Sequence, residues 1–567
     1  MPYNPVTLCR VLRTGKSTIA RTLAHFLEDT EQLGASYFFR RGEQGRNGTA
    51  LFFPTLASQL IATIPTFKAH LGQSLENPAT AEVEKKALKE QFKMLIQDPV
   101  SNMSPEKSGV LTRVIVVDAL DECECQDDVP VVLSLLSQLQ EQKTVRLRVF
   151  FTSRSTYPIV GVFEDLANNR TSYRCLALDK EYRNETKDDI SAFLKFTFAT
   201  IKAKAKVAKD PWPEPRELDR LINLATTPSP LFIYAATLCR FVDDKKGRRR
   251  PLKQLELWLK QCDSNTSQLD QIYVPILRQV FLGSEEEGKN AEALGSEDQL
   301  QLMQVLGSLT LLTSPLPARG LAALLGMAED DVNHWLRNLH PVLSVPGDPG
   351  APVQILHKSF SDFLLGHEGT GNADFRVDAA EIHAMLVSKC IQRMNSDNGL
   401  RKDMCNIREP GKSIDEIDKT IIASQIPPDL EYACVSWVYH LQQCRRHMID
   451  EDKDKAFLQK VSILLQDIET FLGEHFLHWI ECLSLLGKLL DAIILIRKLM
   501  DLVLVCLRHL YLHQKILIAD SRNSVQAISL QDSWKMLRTF SLTTYRPLDE
   551  LPCESMALLS YFVRNWK

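Results

Sequence analysis

A lysine set between a glycine and a serine, in Thr14-Gly15-Lys16-Ser17-Thr18, stands directly ahead of a helical pattern, IARTLAHFL. A tight turn at a helix N-terminus presents backbone N–H groups and the positive end of the helix dipole to an anion. Gly15 permits close approach of the backbone, Lys16 is a point charge for β- and γ-phosphates, and Ser17 supplies a hydroxyl for Mg²⁺. Thr14 and Thr18 flank these contacts. A complete phosphate loop reads GxxxxGK[ST]; its first glycine falls on Arg10 in this chain, and Arg13 also lies within the loop. The tripeptide alone therefore does not establish the site.

Support comes from VIVVDALDEC. Four consecutive β-branched residues, Val114–Val117, predict a buried parallel strand. An acid at the C-terminal end of such a strand stands where open α/β sheets bind ligands. Asp118 is that acid and the expected Mg²⁺ partner with Ser17, while Glu122 first and Asp121 second are candidates to orient an attacking water. A third stretch, RVFFTSR, predicts another buried strand ending in Thr152, Ser153 and Arg154, and an arginine there can reach a γ-phosphate. The plain alternatives are a core strand ending in a solvated acidic turn and a capping serine beside a solvated arginine.

These residues need a scaffold, and the pattern around them supplies one. Short β-branched or aromatic runs at Ala35–Phe39, Val114–Asp118 and Arg148–Arg154 alternate with helical spacing at Phe52–Ile64 and Ala87–Ile96, the signature of a parallel sheet flanked by helices. VTLCRVL can form a first strand ahead of the loop. From about Asp188 helical patterns dominate: Ile190–Phe198, Leu218–Ala225, Leu231–Val242 and Leu252–Gln261. Three further helices, Leu302–Leu312, Ala318–Leu325 and Val332–Leu339, precede a PGDPG turn at Pro346–Gly350 between VLSV and VQIL, which together predict a winged helix. The remainder reads as helical.

Composition narrows the function. At 567 residues the chain exceeds the ~250–300 residues at which single cores stop growing, so several domains are expected. With 67 basic and 71 acidic residues the formal charge is −4, and no global field draws the chain to nucleic acid or an anionic membrane. The basic runs Lys202–Lys209 and Lys245–Arg250 read as solvated segments between helices. Thirteen scattered cysteines lack paired CxxC spacing, and Cys123 and Cys125 read as reduced thiols, which points to the cytoplasm. Charges interrupt the apolar segment Leu485–Leu512, so no membrane span is expected.

GKSTIARTLA, VIVVDALDEC and FFTSR, in this order, resemble the NACHT branch of the STAND P-loop NTPases, particularly the fungal NLR-like proteins. ASYFFRRGEQGRNGTALFFPTLASQL, PLFIYAATLCRFV, LDQIYVPIL, VQILHKSFSDFLL, YACVSWVYHL and HFLHWIECLS extend the resemblance over nearly the whole chain. The resemblance implies a NACHT-like core over 1–165, a helical lid over 166–265, a winged-helix domain over 266–370 and an α-helical region over 371–567. It implies ATP/ADP (or GTP) with Mg²⁺ held by Thr14, Gly15, Lys16, Ser17, Thr18 and Arg154, with His357 near the diphosphate. It further implies a signalling switch, closed with ADP and open with ATP, at most a slow nucleoside triphosphatase, with protein partners met through oligomerisation. The alternative is a non-hydrolysing scaffold in which Arg10 and Arg13 spoil the loop. Relatives usually bear an effector domain before this region and repeats after it, and the sequence is expected to lack both.

Overall fold

The computed structural model describes residues 6–499, apart from 11–14, 42, 44, 76–82, 84–85, 104–110, 142–144, 155–160, 162–172, 178–180, 245–248, 263–265, 283–293, 367–372, 409–413, 449–454 and 490. Thr14, Arg13 and the second half of the Leu485–Leu512 segment lie outside the described residues. The chain divides into units 1–493 and 494–567, and everything below concerns the first.

Five strands, β1 (Val6–Arg10), β2 (Leu33–Phe38), β3 (Leu111–Asp118), β4 (Val145–Ser153) and β5 (Tyr173–Ala177), form one sheet in the order β2-β3-β4-β1-β5. Every pairing is parallel. Alternation along β3 and β4 explains their near-continuous apolar sequences. Ile115, Val117, Val149 and Phe151 pack toward one face with Phe52, Phe53 and Leu56 of α2 (Phe52–Thr63). Val116 and Phe150 meet Ala20, Ala24 and Leu27 of α1 (Lys16–Asp29) on the other. A strand covered on both faces must be apolar at successive positions.

Two expectations are refined. The sheet continues past residue 165, because β5 pairs with β1 in register from Val6↔Tyr173 to Arg10↔Ala177. The expected Ala87–Ile96 helix is a short α-helix, Leu88–Phe92, running into a π-helical turn, Lys93–Gln97, and a last turn at Asp98–Ser101 that contains Pro99.

Helices follow the sheet: α3 (Arg183–Ala205), α4 (Pro215–Thr226), α5 (Phe232–Val242), α6 (Pro251–Gln261) and α7 (Gln268–Leu282). A capping box between Glu214 and Glu217, with Pro215 in the first turn, fixes the start of α4. Next come α8 (Ser296–Leu311), α9 (Ala318–Leu325) and α10 (Glu329–Asn338), then an antiparallel pair, β6 (Leu343–Ser344) with β7 (Gln354–Ile355). A seven-residue helix, α11 (Lys358–Leu364), leaves that pair directly. Further on lie α12 (Ala379–Asn395), α13 (Lys419–Gln425), α14 (Pro428–Met448) and α15 (Lys455–Leu485), with Trp437 and Trp479 fully buried and edge-on to one another. Among the described residues no helix is long and apolar enough to cross a membrane.

Candidate functional site

Helix α1 begins at Gly15, whose φ of 81° lies in the left-handed region that glycine tolerates and other residues resist. A side chain there would approach the Phe232 ring, 3.7 Å from an added Cβ, so the first residue of α5 faces the start of α1. Lys16 is the first helical residue. Burial holds its ammonium below the ordinary lysine range; Asp121 opposes that shift, Arg154 adds to it, and Asp118 and Glu122 oppose it more weakly. Ser17 and Thr18 are exposed at the helix start. Arg10, in the first-glycine position, closes β1 opposite Ser153, and that strand precedes α1 in the chain.

Asp118 ends β3 with 3% of its surface exposed, and its carboxylate accepts a hydrogen bond from Thr152 Oγ1 of β4. The same hydroxyl accepts from the Ala119 backbone N–H at 3.0 Å. This contact anchors a tight change of direction, since Ala119 takes a φ of 54°, a costly conformation for a residue with a Cβ. The single 3₁₀ turn Leu120–Glu122 that follows carries Asp121 and Glu122 back over the sheet edge.

Asp121 is the centre of the charge arrangement. Its carboxylate accepts from the Arg154 backbone N–H at 3.0 Å and pairs with Arg154 Nε at 3.2 Å and Lys358 Nζ at 3.9 Å. Lys358 also donates to the Asp121 carbonyl oxygen at 3.3 Å. Arg154 in turn places Nη1 2.6 Å from Asp362 Oδ2. Burial works against the Arg154 cation, but Asp362 and then Asp121 outweigh it and raise its pKa. Burial lowers the Lys358 ammonium, with Asp121 opposing. Side-chain exposures of 11% for Arg154 and 3% for Asp121 make this a desolvated network, in which charges interact far more strongly than on an open surface.

The structure thus brings Gly15, Lys16, Asp118, Asp121, Glu122 and Arg154 to one edge of the sheet. It also adds two residues that sequence reasoning passed over, Lys358 and Asp362, both from α11. A signal was available: they stand four apart in HKSFSDFL, which puts opposite charges on one helical face. His357, the residue chosen from that segment, is the N-cap of α11. Its Nδ1 accepts from the Ser359 N–H at 3.2 Å and lies 2.6 Å from Ser359 Oγ, which meets the Tyr273 hydroxyl at 2.6 Å. Cys123 is buried and Cys125 exposed; both thiols are free, and burial drives Cys123 up to about 12. Among the described residues no cluster of three or more His, Cys, Asp or Glu side chains is arranged to hold a metal.

Glu122 differs from its neighbour. Burial raises its pKa above the ordinary carboxylate value, and the Asp121 charge adds to that shift. A raised folded-state pKa means that ionisation costs stability as pH rises through it, whereas below the unfolded pKa the cost is absent. Glu122→Gln is therefore expected to melt at a higher temperature than the unaltered chain near pH ~7.5, the advantage fading toward pH ~4. Thermal scans across that range, without nucleotide, check the sign; an advantage that grows on acidification would overturn it.

The nucleotide and Mg²⁺ implied by the sequence meet a compatible donor set. Gly15 leaves its backbone open at a helix N-terminus, the half-buried Lys16 cation sits beside it, and a buried carboxylate ends β3, two strands from β1.

Residues 12–154 match the family described as Nephrocystin 3, N-terminal. The vegetative incompatibility protein HET-E-1 of Podospora anserina is 23% identical over 495 residues, covering 82% of this chain and 32% of that protein. The chain thus spans about a third of its relative's length. Among solved structures, a signal transduction ATPase with numerous domains and a tetratricopeptide repeat sensor from Pyrococcus horikoshii aligns with a TM-score of 0.33 at 14% identity, covering 88% of this chain and 62% of the other. Cdc6p from Pyrobaculum aerophilum aligns with a TM-score of 0.29 at 14% identity, covering 68% and 89%.

Proposed function

We propose that this chain is a nucleotide-gated signalling switch of the NACHT/STAND P-loop NTPase type, whose closed state is held by α11 gripping the nucleotide site. The observation that carries this reading is the Asp121–Arg154–Asp362 network with Lys358, which joins residues more than two hundred positions apart in sequence.

Lys16 and the backbone around Gly15 hold the phosphates of ATP or ADP, and Ser17 with Asp118 holds Mg²⁺. The bound triphosphate supplies the transferable γ-phosphoryl group. Thr152 keeps the Asp118 carboxylate oriented, since its hydroxyl spans that carboxylate and the Ala119 N–H. Arg154 is engaged by two carboxylates, so any anion that recruits it competes with Asp362. Loss of the Arg154–Asp362 pair releases α11 and the helices and hairpin preceding it, which we read as a winged helix. Phe232, against Gly15, couples the helical section after the sheet to the same site. Asp121, neutralised by Arg154 and Lys358, is placed to hold cations, and Glu122 is the better placed of the two acids for slow hydrolysis.

The test is the nucleotide carried by the purified protein, and its retention when the grip is weakened. Extracted nucleotide should be ADP, and Asp362→Asn should release it roughly tenfold faster and shift sedimentation toward larger assemblies. Protein that carries and binds no nucleotide would overturn the switch and leave the scaffold reading; ADP release unaltered by Asp362→Asn would remove α11 from the gate.

A further inference from the structure

A second concave site lies far along the chain from the nucleotide residues. A cavity of about 980 Å³ opens between α9, the turn at Pro349 and Gly350, the end of α12, and the segment joining α13 to α14. Its volume falls at the upper end of the range of small-ligand sites. Among the described residues four cations line it, Arg319, Lys389, Arg393 and Arg401, against a single carboxylate, Asp429. That carboxylate is already taken: Arg393 Nε lies 2.5 Å from Asp429 Oδ2, with side-chain exposures of 12% and 8%. Arg393 Nη1 also donates to Ser396 Oγ and the Asn398 carbonyl, both at 3.1 Å, so the pair is fixed in place at the cavity wall.

The other three cations have weaker anionic compensation. Arg319 Nε is 3.9 Å from Glu329 and largely exposed. Arg401 donates to two neutral oxygens, Gln425 Oε1 at 2.6 Å and the Met404 carbonyl at 3.4 Å. The Lys389 ammonium stands 3.6 Å from the position of a Cβ at Gly326, which ends α9 in the left-handed conformation; the carbonyl end of that helix favours a cation without neutralising it. A concavity with such an excess of one sign focuses potential on its interior and attracts anions, although the chain as a whole carries a net charge of −4.

The rest of the lining selects among anions. Among the described residues no aromatic side chain lines the cavity, so a nucleobase finds no ring to stack on there, while amides and hydroxyls such as Gln392 and Ser424 suit hydroxyl partners. From these features we infer that the cavity between α9 and α12 binds a small, multiply phosphorylated polyol through Arg319, Lys389 and Arg401. Such a ligand ties together segments flanking the β6–β7 hairpin and the C-terminal helices, so its binding stabilises their packing. The inference does not depend on the nucleotide switch, because the two sites share no residue.

The test uses the full chain with inositol hexakisphosphate, titrated by calorimetry, in three versions: unaltered, Lys389→Ala with Arg401→Ala, and Lys16→Ala. Binding is expected in the first and third and at least ~10-fold weaker in the second, with its melting temperature otherwise maintained. Loss of binding in Lys16→Ala alone would place the probe at the nucleotide loop and overturn the proposal, as would absence of binding to the unaltered chain. Lys389→Glu, with its charge reversed at the same position, should abolish the residual affinity, and equal binding to all versions would overturn the site. Cosedimentation with vesicles containing phosphatidylinositol 4,5-bisphosphate separates the two sources of this chemistry: capture that Lys389→Glu removes assigns a lipid headgroup, and no capture alongside tight hexakisphosphate binding assigns a soluble ligand.

Discussion

Replacing Lys16 with alanine should lower nucleotide affinity by at least ~100-fold, equivalent to about 2.8 kcal/mol, while the protein without nucleotide melts no lower than before. The two halves of this result share one cause. Burial at the start of α1 destabilises the Lys16 cation, and Asp121, Asp118 and Glu122 offset that only in part. Polyphosphate supplies further negative charge, so the lysine is worth more when ligand is bound than without it. Calorimetry with ADP and with ATP–Mg²⁺, alongside thermal scans of the empty protein, reads both quantities. Wild-type affinity in the variant would remove Lys16 from the site; a large fall in the empty protein's melting temperature would make it a structural residue.

Asp121→Asn should have the opposite character, destabilising the protein by ~3–5 kcal/mol whether or not nucleotide is present. The substitution keeps the shape and removes the charge to which Arg154 Nε and Lys358 Nζ are paired at 3.2 and 3.9 Å. Arg154 would retain Asp362, but Lys358 and Lys16 would lose the carboxylate that most favours their charged forms. Denaturant unfolding followed by tryptophan fluorescence measures the loss. A double variant with Arg154→Met should recover part of it, because removing both partners leaves no unpaired cation at that position. Strict additivity of the two substitutions would show that they do not form one network.

Much of the candidate site's edge was legible from the chain because its physics is local. The run VIVVD announces a strand covered on both faces, and Asp118 must then fall at the strand's end. TGKST before IARTLA likewise marks a turn into a helix, and Gly15 takes the positive φ that such a turn requires. Other features depend on partners distant in sequence. YRCLA gives little sign of a strand, with an arginine and a cysteine amid its few apolar residues, yet β1 recruits it to the sheet edge. Ala119 shows no preference for the left-handed region; the Thr152 hydroxyl imposes it from another strand. Arg154 shows in the sequence only as an arginine at a strand end, since the acids that hold it lie in the turn after β3 and on α11. In HKSFSDFL the His357 ring caps α11, while Lys358 and Asp362 reach the sheet edge.

Lys358 and Asp362 occupy successive turns of one short rod and carry opposite signs, each facing its complement on the sheet edge. Sliding that rod along its axis by one pitch, about 5.4 Å, would bring like charges opposite one another. Intermediate registers therefore gain little, and the charge pattern of α11 suits a single register against that edge.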